Sequence, residues 1–249
     1  MTETFPSIRD APSATAAQMA EADRIAAELG VPVEALMESA ARQIARVVRS
    51  WTGGSVTGRD IVAVVGSGNN GGDALAAIRW LRGWGADVRA VLSGPPDRMR
   101  PLARRQHDAL RAMGIEIIDA SADAAAGRSA IERCDVVLDG LLGYSTKGAP
   151  RGAVADLIRA TDDTRATIIA VDLPSGLDPD TGAVAGAVVR AGLTVTLALP
   201  KPGLLEETAR HFVGTLLLAD IGIPSAAFAR LGIDVTGLFS SGDIVRVER

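Results

Sequence analysis

Short apolar segments alternate with helical patterns along most of this chain, and that alternation limits the possible folds more than any other feature of the sequence. Short segments rich in apolar residues predict strands, several of them running into a loop, at residues 61–65, 88–92, 115–118, 135–143, 167–176, 193–199 and 214–222. Helical spacing between these runs predicts helices at about residues 72–84, 98–113, 122–132 and 153–161. Strands and helices that alternate in this way form right-handed βαβ units, which build a parallel sheet with helices on both faces.

Two further helical patterns, at residues 14–29 and about 33–49, precede the first strand. The chain has 249 residues, 47% of them hydrophobic, which is enough to bury a substantial core. It contains no Pro-, Gly- or Ser-rich linker, no repeat and no low-complexity segment. The sequence therefore predicts one α/β domain over residues 1–249. We expect a three-layer α/β/α Rossmann-like fold with a mostly parallel sheet, a helical N-terminal extension over about 14–50 and an α/β core over about 60–225.

Composition excludes several classes of function. The formal net charge of −4 provides no basic field that would attract nucleic acid or an anionic membrane. The N-terminal segment lacks the basic and apolar regions of a secretory signal, and no apolar run approaches the ~18 residues that span a bilayer. Two histidines and one cysteine do not form a recognisable zinc-ligand cluster. We therefore expect a cytoplasmic protein with no nucleic-acid or membrane partner.

The first strand of the alternating region ends in a G-x-G-x-x-G motif formed by Gly66, Gly68 and Gly71. This motif is typical of a dinucleotide-binding turn, but a Rossmann NAD site also expects an acidic residue at the end of the second strand. Here the second strand ends "VRAVLSG", without Asp or Glu, and the turn contains two asparagines and an aspartate. An NAD(P)-dependent oxidoreductase is therefore disfavoured. It stays as an alternative, together with a non-catalytic nucleotide-binding module.

Polar side chains follow three of the predicted strands at their carboxyl ends, where open parallel sheets bind ligands. Asn70 follows the first, Asp139 the "VVLDG" strand, and Asp172 and Ser175 the "AVDLPSG" strand. A carboxylate just after an apolar run is unfavourable to bury unless it has a partner, and these hard oxygen ligands could surround a cation. Alternatively, each aspartate caps the helix or turn that follows it, an interpretation we favour for Asp178.

Lysine is rare in this chain. Of its 26 Lys and Arg residues only Lys147 and Lys201 are lysine, and both lie in loops beside glycine or proline. Because a lysine ammonium is a flexible point charge that arginine does not replace, either residue is a candidate for a functional role.

Five segments, "GSGNNGGDAL", "VLDGLLG", "AVDLPSGLDPDTG", "LALPKPGLL" and "VGTLLLADIGIP", follow one another in an order and spacing that resemble the NAD(P)H-hydrate epimerase family. The segment "MAEADRIAAELGVPVEALMESAARQIARVV" is similar to that family's N-terminal helical pair, and the match covers about residues 15–225. The resemblance implies an isomerase with a Rossmann-like fold. Its substrate would be NAD(P)H hydrated at C6 (NAD(P)HX), whose R and S forms the family interconverts during nicotinamide cofactor repair.

The resemblance also implies site residues. The family's potassium ligands fall on Asn70, Asp139 and Ser175, and K+ is the expected cofactor. Asp172 is the expected general acid/base, and Lys147 is a second catalytic candidate that could bind phosphate or transfer a proton. Substrate-binding residues fall on two loops and one strand end: Asn69, Asn70, Gly71, Gly72, Asp73, Gly143, Tyr144, Ser145, Thr146, Lys147, Gly148, Ala149 and Asp172.

This chain departs from the family pattern at three positions, and its partners are only partly defined by the resemblance. Ala74 stands where "GGDG" is common, and Ser39 and Ala41 occur in "MESAA", where "MENAG" is common. Many bacterial relatives are fused to a dehydratase domain that repairs the S form. The present sequence ends soon after the epimerase portion, so we expect a separate NAD(P)HX dehydratase as functional partner. A homodimer is left open.

Overall fold

The computed structural model describes residues 3–248, and within them one nine-stranded sheet forms the centre of the molecule. The strands run in the order β1-β9-β8-β7-β6-β5-β2-β3-β4, and neighbours are parallel except for β8 and β9. The strands are β1 Ser7–Ile8, β2 Asp60–Val65, β3 Asp87–Leu92, β4 Glu116–Asp119, β5 Val136–Gly140, β6 Thr167–Val171, β7 Leu193–Leu197, β8 Thr215–Ala219 and β9 Ile244–Val247.

Helices cover both faces of the sheet. They are α1 Ala16–Glu28, α2 Val33–Trp51, α3 Asn69–Gly83, α4 Pro101–Ala112, α5 Ala124–Arg133, α6 Gly152–Asp162, α7 Pro202–Leu205, α8 Arg210–Val213 and α9 Ser225–Ala229. Alternate residues of β2 face opposite cores, as the period of a strand requires. Ile61 and Val65 pack with α1–α3, whereas Val62 and Val64 pack with α5 and α6. The three-layer, mostly parallel α/β/α fold predicted from the sequence is confirmed.

The strand order defines where a ligand should bind. Within the sheet, β4-β3-β2-β5-β6-β7 repeats the doubly wound order in which the first strand carries the glycine motif and the fourth lies on its other side. The direction of winding therefore reverses between β2 and β5. A crevice forms outside the carboxyl ends of the strands at such a reversal, and it is the usual binding place for dinucleotides.

The helical pair at the N-terminus is part of the helical layer over the sheet. Helix α2 packs along α3 and reaches β7 and β8, while α1 contacts α2 and α9. The buried face of α2 consists largely of small and β-branched side chains, including Ala41, Ile44 and Ala45, which lets the two helices approach closely. Helix α1 begins with a capping box, in which Thr15 and Gln18 bond to each other's backbone N–H groups.

Some elements differ from the sequence-based predictions. Helix α3 begins at Asn69, three residues earlier than predicted, so the segment from Asn69 to Asp73 forms its first turn instead of a loop. The edge strand β1, its neighbour β9 and the short helices α7, α8 and α9 were not predicted. These elements are only two to five residues long, too short to show a helical or strand period in the sequence.

Candidate active site

A cavity of about 600 Å³ opens along the carboxyl ends of the strands, at the reversal point of the sheet. This volume lies within the range of small-molecule sites, roughly 300–1,000 Å³. Its lining crosses five neighbouring strands in order: Ser93 and Arg100 after β3, Gly66 to Asn70 and Asp73 after β2, Leu141 to Thr146 after β5, Asp172 after β6, and Leu197 and Lys201 at β7.

Helices α1 and α2 supply a further wall of this cavity. Met19, Ala20 and Asp23 come from α1, and Val33, Leu36, Met37 and Ala40 come from α2. Apart from Asp23 these side chains are apolar, so they offer a surface on which a flat ring can pack. The sequence predicted these two helices, but it did not show that they would line the cavity.

Three glycines hold the turn between β2 and α3 against its neighbours. A Cβ atom on Gly66 would lie 1.8 Å from the carbonyl oxygen of Leu141, and one on Gly71 would lie 2.2 Å from the carbonyl oxygen of Gly66. A Cβ atom on Gly72 would lie 2.6 Å from Cε of Met37. Gly71 and Gly72, expected to bind substrate, do not line the cavity; they let α3 approach the turn and α2 closely.

The start of α3 faces the cavity. Gly68 is the N-cap residue and provides no side-chain cap, and Asn69 and Asn70 follow it in the first turn. Gly68, Asn69 and Asn70 all line the cavity. Because the first N–H groups of a helix have no partner within the helix, and the helix dipole is positive at this end, the site is suited to a phosphate group.

A hydrogen-bonded network connects the three predicted potassium ligands. Nδ2 of Asn70 donates to the carbonyl oxygen of Leu142 (2.8 Å), and the N–H of Leu142 donates to Oγ of Ser175 (2.9 Å). Oγ of Ser175 donates to Oδ1 of Asp139 (2.7 Å), and the N–H of Ser175 donates to Oδ2 (2.8 Å). Asn70, Asp139 and Ser175 therefore lie close together, as the sequence predicted, although they come from three different strand ends.

The oxygen atoms around Asp139 are suited to a cation. The Asp139 carboxylate also caps the turn that follows it, as the alternative interpretation predicted. Asp139 and Ser175 are fully buried, and neither lines the cavity. Burial raises the pKa of Asp139 to about 6, against hydrogen bonds from Ser175 and Leu141, and no basic side chain contacts its carboxylate within residues 3–248. Oδ1 of Asn70 accepts no hydrogen bond from these residues, so it offers a free ligand oxygen. The bond from the Leu141 N–H (3.2 Å) is the turn cap.

Asp172 forms a buried ion pair with Lys201 at the ends of β6 and β7. Nζ of Lys201 donates to Oδ1 of Asp172, to the carbonyl oxygen of Leu197 (3.1 Å) and to Oγ1 of Thr196 (3.4 Å). The N–H of Leu197 donates to the same Oδ1 (3.1 Å). The side chains of Lys201 and Asp172 are only 1% and 5% exposed, so each charge depends on the other for compensation.

One oxygen of Asp172 is left for a ligand. All of its hydrogen bonds within the described part of the chain go to Oδ1, whereas Oδ2 accepts none, and the residue lines the cavity. Its backbone has φ of 68°, in the left-handed region that costs a residue other than glycine about 1–3 kcal/mol. Strain of this kind is concentrated at functional sites, where the surrounding structure holds it in place.

Two more carboxylates, Asp73 and Asp23, share the cavity with Asp172. Burial raises the pKa of Asp73 well above its usual value, and the charges of Asp172 and Asp23 raise it further. Neither oxygen of Asp73 accepts a hydrogen bond from residues 3–248. Burial also raises the pKa of Asp23, which accepts a hydrogen bond from the Tyr144 hydroxyl (2.6 Å). That bond ties α1 to the segment after β5.

The segment from Gly143 to Ala149 lies partly in the cavity and partly in solvent. Gly143, Tyr144, Ser145 and Thr146 line the cavity, whereas Lys147, Gly148 and Ala149 do not and are exposed. Of the two lysines, Lys201 therefore contacts Asp172, and Lys147 lies outside the cavity. Sequence reasoning singled out Lys201 as a candidate but assigned it no site, although its position just after a buried strand was a usable signal.

A model of the family described as YjeF-related protein N-terminus matches residues 33–203 of this chain. The chain belongs to this family. The family resemblance inferred from the sequence motifs is thereby confirmed, and the matched range contains the glycine motif, the Asp139 network and the Asp172–Lys201 pair.

Relatives of this YjeF-related chain cover most of its length. An NAD(P)H-hydrate epimerase of Dehalogenimonas lykanthroporepellens is 37% identical over 231 residues, which are 92% of this chain and 90% of that protein. A bifunctional NAD(P)H-hydrate repair enzyme of Moorella thermoacetica is 37% identical over 86% of this chain, which spans only 41% of that enzyme's length. The crystal structure of a yeast protein superposes with a TM-score of 0.79 over 94% of this chain and 99% of its own; at 21% identity this likeness concerns the fold alone.

The positions at which this YjeF-related chain departs from the family pattern do not line the cavity. Ala74 is fully buried in α3 and packs on Gly140, where an added Cβ atom would lie 2.5 Å from that of Ala74. Ala41 is buried on α2, and Ser39 is half-buried beside it. The departures therefore concern helix packing. Separately, no helix within residues 3–248 has the length and apolar character needed to cross a membrane.

Proposed function

We propose that this chain is an isomerase that interconverts the R and S forms of NAD(P)HX, within nicotinamide cofactor repair. The observation that carries the proposal is the Asp172 carboxylate: Lys201 holds one oxygen, and the other is free toward a cavity at the dinucleotide-binding edge of the sheet. The names of two relatives, an NAD(P)H-hydrate epimerase and a bifunctional NAD(P)H-hydrate repair enzyme, support it.

The chemistry of the substrate requires a proton acceptor and a proton donor. C6 of the hydrate carries a hydroxyl group and the ring nitrogen N1, so it is a hemiaminal that can invert by two routes. In one route the nitrogen lone pair expels the hydroxyl as water, and water adds to the other face. In the second route the C6–N1 bond breaks to give an aldehyde, and the ring closes on the opposite face. Each route removes one proton from an oxygen and delivers one to the leaving atom.

Asp172 and Asp73 are suited to these two roles. In ring opening, Oδ2 of Asp172 accepts the hydroxyl proton as the C6–O bond becomes a carbonyl. The electron pair of the breaking C6–N1 bond goes to N1, which takes a proton from Asp73; ring closure reverses both transfers. The raised pKa of Asp73 favours its protonated form, and the Lys201 ammonium compensates the charge of Asp172. In the water-loss route Asp73 would protonate the departing hydroxyl, and Asp172 would deprotonate the incoming water.

Asn70, Asp139 and Ser175 are the residues that would hold a potassium ion. When bound, such an ion would neutralise the buried Asp139 carboxylate and hold the three strand ends in place. Its role would be structural, because a monovalent ion is a poor Lewis acid. The first turn of α3 would bind substrate phosphate through its backbone N–H groups. A dehydratase in the cytoplasm would then consume the S form.

Pure R hydrate, followed by chromatographic separation of the two epimers, tests the proposal directly. The wild-type protein should convert it to a mixture of R and S, and Asp172→Asn should lose nearly all of this activity. Asparagine tolerates the left-handed backbone, so the fold and ligand binding should be retained, at a lower free energy of unfolding because the buried Lys201 ammonium loses its partner. Asp156→Asn, an exposed change on α6, is the control. Oxidation or reduction of the nicotinamide would support the oxidoreductase alternative, and binding without conversion would support the non-catalytic module.

Thermal unfolding tests the potassium site without an activity measurement. The unfolding midpoint of the wild-type protein should rise in potassium chloride relative to choline chloride at equal ionic strength, because an ion bound only by the folded state stabilises it. Asp139→Asn should abolish the difference between the two salts. Equal midpoints for the wild-type protein in both salts would contradict the cation assignment.

A further inference from the structure

The cavity has a second functional end, at β3, which the proposed chemistry does not use. Ser93 directly follows β3, and its N–H donates to the carbonyl oxygen of Val65 (2.9 Å). Arg100 precedes α4, and its N–H donates to the carbonyl oxygen of Ser67 (2.8 Å). The segment between them is thus tied at both ends to β2 and the glycine turn, and Ser93 and Arg100 both line the cavity.

Arg100 supplies an uncompensated positive charge at this end. Arg100 is exposed, and within residues 3–248 its guanidinium forms no ion pair or hydrogen bond. The other basic residue that lines the cavity, Lys201, is paired with Asp172. The acidic residues of the lining, Asp23, Asp73 and Asp172, come from α1, α3 and the end of β6. Asp97 lies in the same segment as Arg100 but is exposed and does not line the cavity.

The strand order indicates which part of a dinucleotide would lie at the end of β3. In the doubly wound arrangement β3 is the second strand, whose end meets the adenosine ribose of a bound dinucleotide. An acidic residue there bonds to the ribose 2′-hydroxyl in NAD sites, whereas an arginine nearby accommodates the 2′-phosphate in NADP sites. Asp172 lies three strands away along the order β3-β2-β5-β6, or about 14 Å at the usual strand spacing. A hydrated ring at Asp172 would therefore leave the adenosine end at β3.

We infer that Arg100 and Ser93 bind a 2′-phosphate, so that NADPHX is preferred over NADHX. The guanidinium forms charge-assisted hydrogen bonds with the phosphate oxygens, and the small Ser93 hydroxyl leaves room for the group and donates to it. A carboxylate at position 93 would repel the phosphate. This inference rests on the proposed function for its substrate, but the phosphate contact is a property of the cavity that binding measurements can address separately.

The kinetic test compares the R forms of NADPHX and NADHX. The wild-type ratio of kcat/KM for NADPHX over NADHX should exceed one, and Arg100→Ala should lower that ratio by about tenfold or more, mainly through KM for NADPHX. Arg98→Ala is the matched control, because Arg98 is exposed in the same segment and does not line the cavity; the ratio should not change. Ser93→Asp should invert the preference. Epimerisation with a ratio near one, unaffected by Arg100→Ala, would overturn the inference and leave the proposed function intact.

Calorimetry with adenosine 2′,5′-bisphosphate and with AMP, which lacks only the 2′-phosphate, separates the two proposals. The wild-type protein should bind the 2′-phosphorylated nucleotide more tightly, and Arg100→Ala should remove the difference. If the protein shows this binding difference but does not epimerise either hydrate, the proposed function is wrong and the phosphate site is supported. Equal affinities for the two nucleotides would overturn the inference whatever the activity.

Discussion

Lys201 and Lys147 are the same residue type in similar loop sequences, yet their surroundings differ completely. Lys201 is buried and gives all its hydrogen bonds to the ends of β6 and β7, whereas Lys147 is exposed. The same contrast separates the aspartates: Asp178 accepts hydrogen bonds from Asp180 and Thr181 in its own turn, which confirms its predicted capping role. At the scale of single residues, function here depends on which groups the fold places nearby.

Replacing Lys201 by methionine should lower the free energy of unfolding by about 3 kcal/mol, because it leaves the buried Asp172 carboxylate without its partner. Lys147→Met is the matched control and should change stability by less than about 0.5 kcal/mol. Urea unfolding measures both. The double variant Asp172→Asn/Lys201→Met should be less destabilised than the sum of the single variants. Additive effects would show that the two side chains do not interact.

At the scale of elements, the cavity depends on close approach between the β2–α3 turn and its neighbours. The carbonyl oxygens of Leu141 and Gly66 lie where Cβ atoms of Gly66 and Gly71 would be. The glycine motif therefore has a packing role as well as exposing backbone N–H groups to a ligand. The hydrogen bond from Tyr144 to Asp23 adds α1 to the same assembly, so that elements far apart in the sequence enclose the site.

Serine substitutions at two glycines of the motif should differ clearly in their effect on stability. Gly66→Ser should destabilise the protein by about 2 kcal/mol, because the new Cβ atom meets the Leu141 carbonyl oxygen at 1.8 Å and the turn must shift. Gly68→Ser should change stability by less than about 0.5 kcal/mol, because no atom lies within 4 Å of the new Cβ and serine is a good N-cap residue. Thermal unfolding compares the two variants. Equal losses would contradict the packing role assigned to Gly66.

At the scale of the whole molecule, the cavity concentrates carboxylates that oppose folding at neutral pH. Burial, together with the charges of Asp172 and Asp23, raises the pKa of Asp73 in the folded state. The folded protein therefore binds this proton more tightly than the unfolded chain does. The resulting contribution to stability is fully present below the unfolded pKa, about pH 4, and is lost as the pH rises through the folded-state pKa.

Asp73→Asn removes this contribution while keeping the shape of the side chain. The free energy of unfolding of the wild-type protein should therefore fall relative to that of Asp73→Asn as the pH rises from about 5 to about 8. Urea unfolding at several pH values measures the difference, and Asp156→Asn, an exposed change, should show no such trend. If the difference in free energy of unfolding between the wild-type protein and Asp73→Asn is constant across this range, the pKa of Asp73 is not raised in the folded state.

The sequence by itself determined the elements that have a clear period. Seven of the strands, β2 to β8, are four to six residues long and contain short apolar runs, and their alternation with helices implies a parallel sheet whose polar strand ends meet at one edge. Asn70, Asp139, Asp172 and Ser175 could be placed at that edge because each follows such a run. The motifs also identified the family, since five segments in one order are specific where a single glycine motif is not.

Only the tertiary structure decided which side chains meet. Lys201 is 29 residues from Asp172 in the sequence, and Asp23 is 121 residues from Tyr144, so no local pattern relates them. No local pattern in the sequence shows either that the Asp139 network is buried whereas Asp172 lines the open cavity. Local periodicity sets the elements because each depends on its own residues, whereas contacts at a strand end depend on the order of strands and the approach of helices from elsewhere in the chain.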